Sequence, residues 1–268
     1  MSKKKKRDIP LFESPIFETH CHLDYLDTTE LESTLTRARA VGVKEIVTIA
    51  VSADNLDKVM QLTRVDDHIY GSQGIHPHEA EQWSTDICER IRDNAADEKI
   101  LAIGEIGLDY FYDHADRKIQ RQVFEQQLQI AVDLKLPVVI HTREADEDTR
   151  SILENFSGSL AGNGVIHSFT SGIDLAQFCL GEGFKLGFNG ITTFNRADNV
   201  REVVRATPVE QIVLETDAPY LTPVPYRGRP NAPFYLPFIA ETLAELKNQD
   251  IEAFLAQTYR NSKALFAL

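Results

Sequence analysis

Histidines and carboxylates placed at the ends of apolar runs are the residues of this chain best suited to chemistry. His20 and His22 stand two apart at the end of "IFETHCH". On an extended strand that spacing puts both imidazoles on one face, within reach of one ion, while Cys21 points to the other face. Glu105 follows "ILAIG", His141 ends "PVVIH", His167 ends "GVIH" and Asp217 follows "QIVLET". Imidazole and carboxylate together suit divalent cations. A second H-x-H, His76 and His78 around Pro77, shows that the spacing alone is unspecific. The first pair gains weight from the other strand-end ligands. Taken singly, His167 also reads as a hydrogen-bonded core imidazole and Glu105 as an ion-pair partner at a rim. His68 and His114 read as surface residues.

Such residues converge only if the elements carrying them do. Candidate strands are Ile16–Thr19, Glu45–Ala50, Ile69–Gly74, Ile100–Gly104, Val138–His141, Gly164–His167, Phe184–Gly187 and Gln211–Leu214. Runs such as "IVTIA" and "PVVIH" are continuously apolar, as parallel strands buried on both faces require. Helical periodicity fills the gaps. Ile119, Val123, Leu128 and Val132 form one stripe with Gln, Arg and Glu between them. Val200, Val203 and Val204 form another after Asn195, the expected N-cap. Eight strand–helix units in 268 residues predict an α/β fold, a single (β/α)8 barrel rather than an open doubly wound sheet. All the candidate ligands then lie at the C-terminal rim, where this fold builds its active sites. Two connections are long, Ile106–Asp116 and Ala218–Pro233. The second is rich in Pro, Gly and Arg and reads as an ordered loop over the barrel mouth. One or two closing helices are expected from Asp250 onward. Residues 1–15 are expected to be a mobile extension, with its basic run Lys3–Arg7 dispensable for catalysis. Residues 16–268 form the barrel.

The formal net charge is −13, which argues against a protein that coats long stretches of nucleic acid. A nuclease stays compatible with it, because bound cations can supply local positive charge. Cys21, Cys88 and Cys179 are sparse and odd in number, without C-x-x-C spacing. That suits reduced thiols in the cytoplasm. No apolar run approaches the roughly 20 residues of a membrane span, and no apolar segment follows the basic N-terminus as in a secretory signal. The expectation is a cytoplasmic monomer with no membrane partner.

The motifs "ETHCHLD" (18–24), "GIHPHE" (74–79), "GEIGLDY" (104–110), "PVVIHTREA" (137–145), "IHSF" (166–169) and "LETDAPYL" (214–221) resemble those of the TatD family of metal-dependent hydrolases. They occur in the family's order, one per strand end, over nearly the whole chain from about residue 16. The resemblance implies an amidohydrolase-type barrel and a DNase dependent on two divalent ions, often a 3′→5′ exonuclease. Carried over by position, it implies that His20, His22 and Asp217 bind one ion. His141 and His167 then bind the second, and Glu105 bridges both. The mouth loop reads "RGRPNAP" (227–233), with Ala232 where the family often has an acid, so substrate preference is expected to differ there. Residues 1–15 lie outside the resemblance.

On that basis Asp217 is expected to orient the attacking water and accept its proton, with Glu105 holding the ions together. Arg143, two residues past His141, is placed either to clamp a phosphate or to pair with Glu144, Asp146 or Glu147. His76 is placed at the substrate phosphate or behind the ligands, and Arg227 and Arg229 on the nucleic-acid backbone or pinning their loop. The metal reads as Mg, Mn, Zn or Ni and the substrate as single-stranded DNA ends. Ester or amide hydrolysis in the same fold, such as D-aminoacyl-tRNA deacylation, is the alternative. The glutamate at the fourth strand, where many relatives in the wider superfamily carry a carboxylated lysine, favours the nuclease. A non-enzymatic nucleic-acid-binding protein using the basic tail is a third reading, which the intact ligand set disfavours.

Overall fold

The continuous apolar runs form strands buried along almost their whole length. In a computed structural model, which describes residues 7–160 and 162–268, these are β1 (Ile16–Cys21), β2 (Val43–Thr48), β3 (Ile69–Gln73), β4 (Ile100–Asp109), β5 (Val138–Arg143), β6 (Gly164–Ile166), β7 (Lys185–Phe188) and β8 (Ile212–Leu214). Each pairs in parallel with the next in sequence, and the helices between them cover the outside. This is the (β/α)8 barrel. The seam between β8 and β1 is closed mostly beyond the regular strands. The Asp217 N–H donates to the His20 carbonyl (2.9 Å) and the His22 N–H to the Ala218 carbonyl (2.8 Å). Within it the Glu18 carboxylate accepts the Thr216 N–H at 2.8 Å.

The helices are α1 (Thr28–Ala40), α2 (Leu56–Leu62), α3 (Thr85–Asn94), α4 (Arg117–Leu134), α5 (Asp146–Phe156), α6 (Ile173–Gly181), α7 (Asp198–Ala206), α8 (Leu236–Leu246) and α9 (Ile251–Leu265). Caps explain several starts. Asp27 and Glu30 form a reciprocal capping box on α1, and Asp116 and Asp250 accept first-turn N–H groups of α4 and α9. α9 seals one end of the barrel, where Leu265 and Phe266 pack with Phe17, Val47, Val139, Val165 and Val213. Among the described residues, no helix is long and apolar enough to cross a membrane.

Three expectations need correction. β4 runs five residues past Gly104, so Ile106–Asp109 is strand rather than loop. The register shifts between Gly104 and Ile106, a bulge that lets the strand continue. At Gly107 a Cβ would stand 2.0 Å from the His141 carbonyl oxygen, and φ is +138°, so only glycine allows β4 to follow β5 to the rim. Second, Ala197 rather than Asn195 occupies the N-cap of α7. Its valines are buried as expected, because packing decides this helix without a side-chain cap. Third, residues 7–15 are not a loose extension. Arg7 pairs with Glu241 through two contacts of 2.6 Å, and the Glu252 carboxylate accepts the Glu13 and Ser14 N–H groups at 2.9 and 2.8 Å. The other residues of the basic run, Lys3 to Lys6, lie outside the described residues.

Candidate metal centre

Glu105 lies at the middle of the barrel mouth, buried, with four imidazoles around its two oxygens. Oε1 is 2.9 Å from His167 Nε2, 3.0 Å from His141 Nδ1 and 3.4 Å from His76 Nε2. Oε2 is 3.4 Å from His20 Nε2. On the β1 side, Asp217 Oδ1 is 3.7 Å from His20 Nε2 and 3.5 Å from His22 Nε2. The structure thus brings together all six residues expected as ligands. Three groups have donor atoms within 4.8 Å of one another: His20, His22 and Asp217; His20, Glu105 and His167; and His76, Glu105 and His141. His76, read from sequence as a substrate contact, therefore sits among the ligand-type residues.

The local chain explains these directions. β1 ends at Cys21, between His20 and His22, and the Cys21 thiol turns away to the Val47 carbonyl in the core. Ser168 and Asp217, just past β6 and β8, have φ of +46° and +57°. Side-chain-bearing residues adopt that left-handed region at a cost, and such strain collects at functional sites. On the other flank α4 turns two buried glutamines inward from what reads as its polar face. Gln127 accepts the Ile75 N–H (2.8 Å) and donates to the Ile75 carbonyl (3.0 Å), fixing the loop that carries His76. Gln120 does the same for Asp109, at 2.9 and 3.2 Å.

Three carboxylates in this network escaped the sequence reading. Asp109 Oδ2 lies 3.0 Å from both His141 Nε2 and His78 Nε2. That leaves His141 Nδ1 facing Glu105, so Asp109 selects which nitrogen points into the site. Glu215 lies behind His167, 3.6 Å from Nδ1, and accepts the Ser168 N–H at 2.6 Å. Gly187 makes room for it, since a Cβ there would stand 2.3 Å from Glu215 Oε2. Glu18 holds the backbone rather than the ring of His20, accepting its N–H at 3.2 Å. Spacing held part of the signal: Glu18 is two before His20 on β1, same-face positions on a strand, whereas Glu215 and Asp217 lie past β8 and Glu105 sits in the β4 bulge before Asp109.

The electrostatics follow from burial and pairing. Burial opposes ionisation of Glu105, yet His167, His76 and His141 together hold its carboxyl well below the usual range. Asp217 behaves alike, burial opposing and His22, His167 and His20 prevailing. Burial lowers His20, whereas His167, between Glu105 and Glu215, is raised well above an ordinary imidazole despite its burial. Burial pushes Glu18 up to about 8. The residues fit a cation on independent grounds. His20 Nε2 is buried and has no hydrogen-bond partner, although carboxylate oxygens face it from two sides. A divalent ion satisfies such a nitrogen–oxygen set.

A cleft of about 610 Å³ opens over this floor. Arg143 lines it, with its guanidinium carbon 3.9 Å from the Phe111 ring centre and 4.7 Å from that of Tyr112. It stacks on these rings rather than pairing with Glu144, Asp146 or Glu147. Arg227 and Arg229 lie over Phe194 and Tyr226, at 4.1 and 5.8 Å, and do not line the cleft. His68 is exposed as expected. His114, also exposed, stacks on Tyr112 beside His78.

A closed barrel of parallel strands with histidines and carboxylates gathered at its mouth defines a metal-dependent hydrolase. Comparison with known proteins gives the family. Residues 17–267 match the model for TatD related DNase, and the chain belongs to that family. It is 37% identical to the uncharacterized metal-dependent hydrolase YabD of Bacillus subtilis, covering 94% of this chain and 99% of YabD. It is 35% identical to the 3′-5′ ssDNA/RNA exonuclease TatD of Erwinia amylovora, over 87% of this chain and 92% of that protein. The crystal structure of YJJV, a TatD homolog from Escherichia coli, superposes with a TM-score of 0.89 at 30% identity, covering 94% and 98% of the two chains.

Proposed function

We propose that this hydrolase cleaves phosphodiester bonds at the ends of single-stranded DNA, using two divalent ions such as Mg, Mn or Zn. The observation that carries the reading is the position of Glu105, one carboxylate shared between ligand-type groups on opposite sides of the mouth. His20, His22 and Asp217 would hold one ion and His141 and His167 the other, with Glu105 between them and His76 a further ligand or phosphate contact. When bound, such ions neutralise charge on reacting phosphate oxygens and make water a better acid.

The chain's own residues supply the rest. Asp217 is the most open carboxylate of the set, 14% exposed against 4% for Glu105, and is ionised. It is placed to orient a water above the floor and to accept its proton at Oδ. Arg143, held by two rings at the cleft wall, offers a preorganised positive charge for a phosphate oxygen. Arg227 and Arg229, farther along the mouth loop, can meet only backbone beyond the cleft. The exonuclease named for the Erwinia amylovora relative supports the same chemistry.

The test uses metal-stripped protein reloaded singly with Mg, Mn or Zn, offered end-labelled single-stranded DNA beside an aminoacylated tRNA. Stepwise shortening of the DNA, abolished by EDTA, is expected. Asp217→Asn should cut the rate by at least about a hundredfold with unchanged circular dichroism. Intact DNA beside a deacylated tRNA would overturn the reading in favour of ester hydrolysis.

A further inference from the structure

Tyr25, Tyr112 and Tyr220 line the cleft, Phe111 packs on Tyr112 beside it, and none of these four rings has a part in holding metal. Tyr25 and Tyr220 stand on the His22 side, with ring centres 5.7 and 6.3 Å from that imidazole and 6.1 Å from each other. Phe111 and Tyr112 stand on the opposite side, 4.9 Å apart, with Tyr112 5.4 Å from His78. Tyr25, Phe111, Tyr112 and Tyr220 are 53, 48, 51 and 51% exposed. Among the described residues they are the only phenylalanines and tyrosines exposed to this degree. Exposed apolar side chains scattered singly need no explanation, but these four stand in pairs flanking one cleft. Edge-on contacts hold each pair in place; Arg143 also lies over Phe111 and Tyr112 and His114 stacks on Tyr112, and about half of each residue's surface stays exposed.

The charge pattern says what they would bind. The cleft is lined by Glu79, Glu105, Asp109 and Asp217, with Arg143 its one arginine or lysine among the described residues, and the whole chain carries −13. Neutralisation of many phosphates therefore cannot supply affinity for a nucleic acid. Stacking can, because every base has a π-face and rigid rings lose little entropy in meeting it. Arg143, lying on Phe111 and Tyr112, places its cation where a platform meets the cleft.

We propose that the pairs Tyr25–Tyr220 and Phe111–Tyr112 are stacking platforms, each taking an unstacked base on one side of the phosphodiester that is cleaved. The assignment rests on the phosphodiester reading of the same centre. It makes single-strandedness a binding requirement, since paired bases in a duplex have both faces covered.

The experiment uses the full-length protein, metal-free for binding and metal-reloaded for turnover, and two single-stranded oligonucleotides. One is natural; the other carries abasic residues at the two terminal positions of each end. Binding is read by fluorescence anisotropy on metal-free protein and KM by product formation. The wild type should bind the natural strand at least about tenfold more tightly. Tyr25→Leu/Tyr220→Leu and Phe111→Leu/Tyr112→Leu should each weaken natural-strand binding by about five- to a hundredfold, mainly in KM. Their losses on the abasic strand should be at least fivefold smaller. Tyr220→Phe, which keeps the ring, should retain natural-strand binding, and this guards against loss of fold in the leucine variants. Equal binding of both strands by the wild type, or equal losses on both in the variants, overturns the platforms while the nuclease stands. Failure to cut either strand with any metal overturns the nuclease reading and the platforms with it.

Discussion

At the scale of single residues, the clearest consequence concerns Asp109. Its carboxylate takes His141 Nε2 at 3.0 Å, so the nitrogen turned toward Glu105 is Nδ1. Asp109→Asn nearly keeps the volume but removes the charge shared by His141 and His78. Metal affinity should fall about ten- to a hundredfold, measured by competition against a chromophoric chelator, with the circular dichroism spectrum unchanged. Unaltered affinity would show that Asp109 is only a packing partner. Glu105→Ala should lose more metal than any single histidine change, because its oxygens face four imidazoles; retention of two ions per chain in that variant would remove the bridging role. His20, His22, Glu105, His141, His167 and Asp217 were legible because each ends an apolar run. Asp109, Glu215 and Glu18 were not, because they act through another residue. Buried carboxylates behind a ligand leave no mark in composition, only a two- or four-residue spacing that ordinary strands also show.

At the scale of elements, α4 does two jobs on two faces. Val123 and Leu128 pack into the core, while Gln120 and Gln127 clamp the ends of β4 and β3 through their backbone groups. Gln127→Leu leaves the Ile75 N–H and carbonyl without their partner inside the protein. A loss of about 1–3 kcal/mol in unfolding free energy is expected, together with lower activity as the His76 loop loosens. A urea midpoint equal to that of the wild type would refute the clamp. The sequence shows α4's apolar stripe plainly but reads its glutamines as solvent-facing, because period alone cannot separate a buried amide from an exposed one. The length of β4 was hidden for a related reason: the glycines of "GEIGLDY" suggest a turn, and only the neighbouring strand shows that Gly107 is there to let backbones approach.

Taken as a whole, the molecule concentrates carboxylates and imidazoles at one end and seals the other with α9. Bound cations stabilise only the folded state, so chelation should lower the melting temperature, and re-addition should restore it in proportion to the logarithm of metal concentration. A melting curve indifferent to EDTA would mean that the centre holds no ion with useful affinity. The strap of residues 7–15 makes a second prediction. Truncation through Lys6 should leave stability nearly unchanged, whereas truncation through Ser14 removes the contacts to Glu241 and Glu252 and should lower it by about 1–3 kcal/mol. Equal melting temperatures for the two truncated chains would argue that the strap only rests on the barrel. The barrel class was legible because eight apolar runs alternate with helical stripes. The strap was not, since its anchors are backbone N–H groups and one arginine, which look alike in a bound and an unbound segment.

The β8–β1 seam has a consequence for the order in which this protein comes into being. The hydrogen bonds that close it join Thr19 to Leu214 and Glu18 to Thr216, residues 195 and 198 positions apart. A ribosome therefore releases His20 and His22 long before it makes Asp217. The group His20, His22 and Asp217 is therefore completed only when the last strand arrives, and long-range closure of this kind is slow. Rejoining the chain so that β8 precedes β1 directly, with new ends opened elsewhere, would turn this last contact into a local one made early, and would bring cation capture forward in folding.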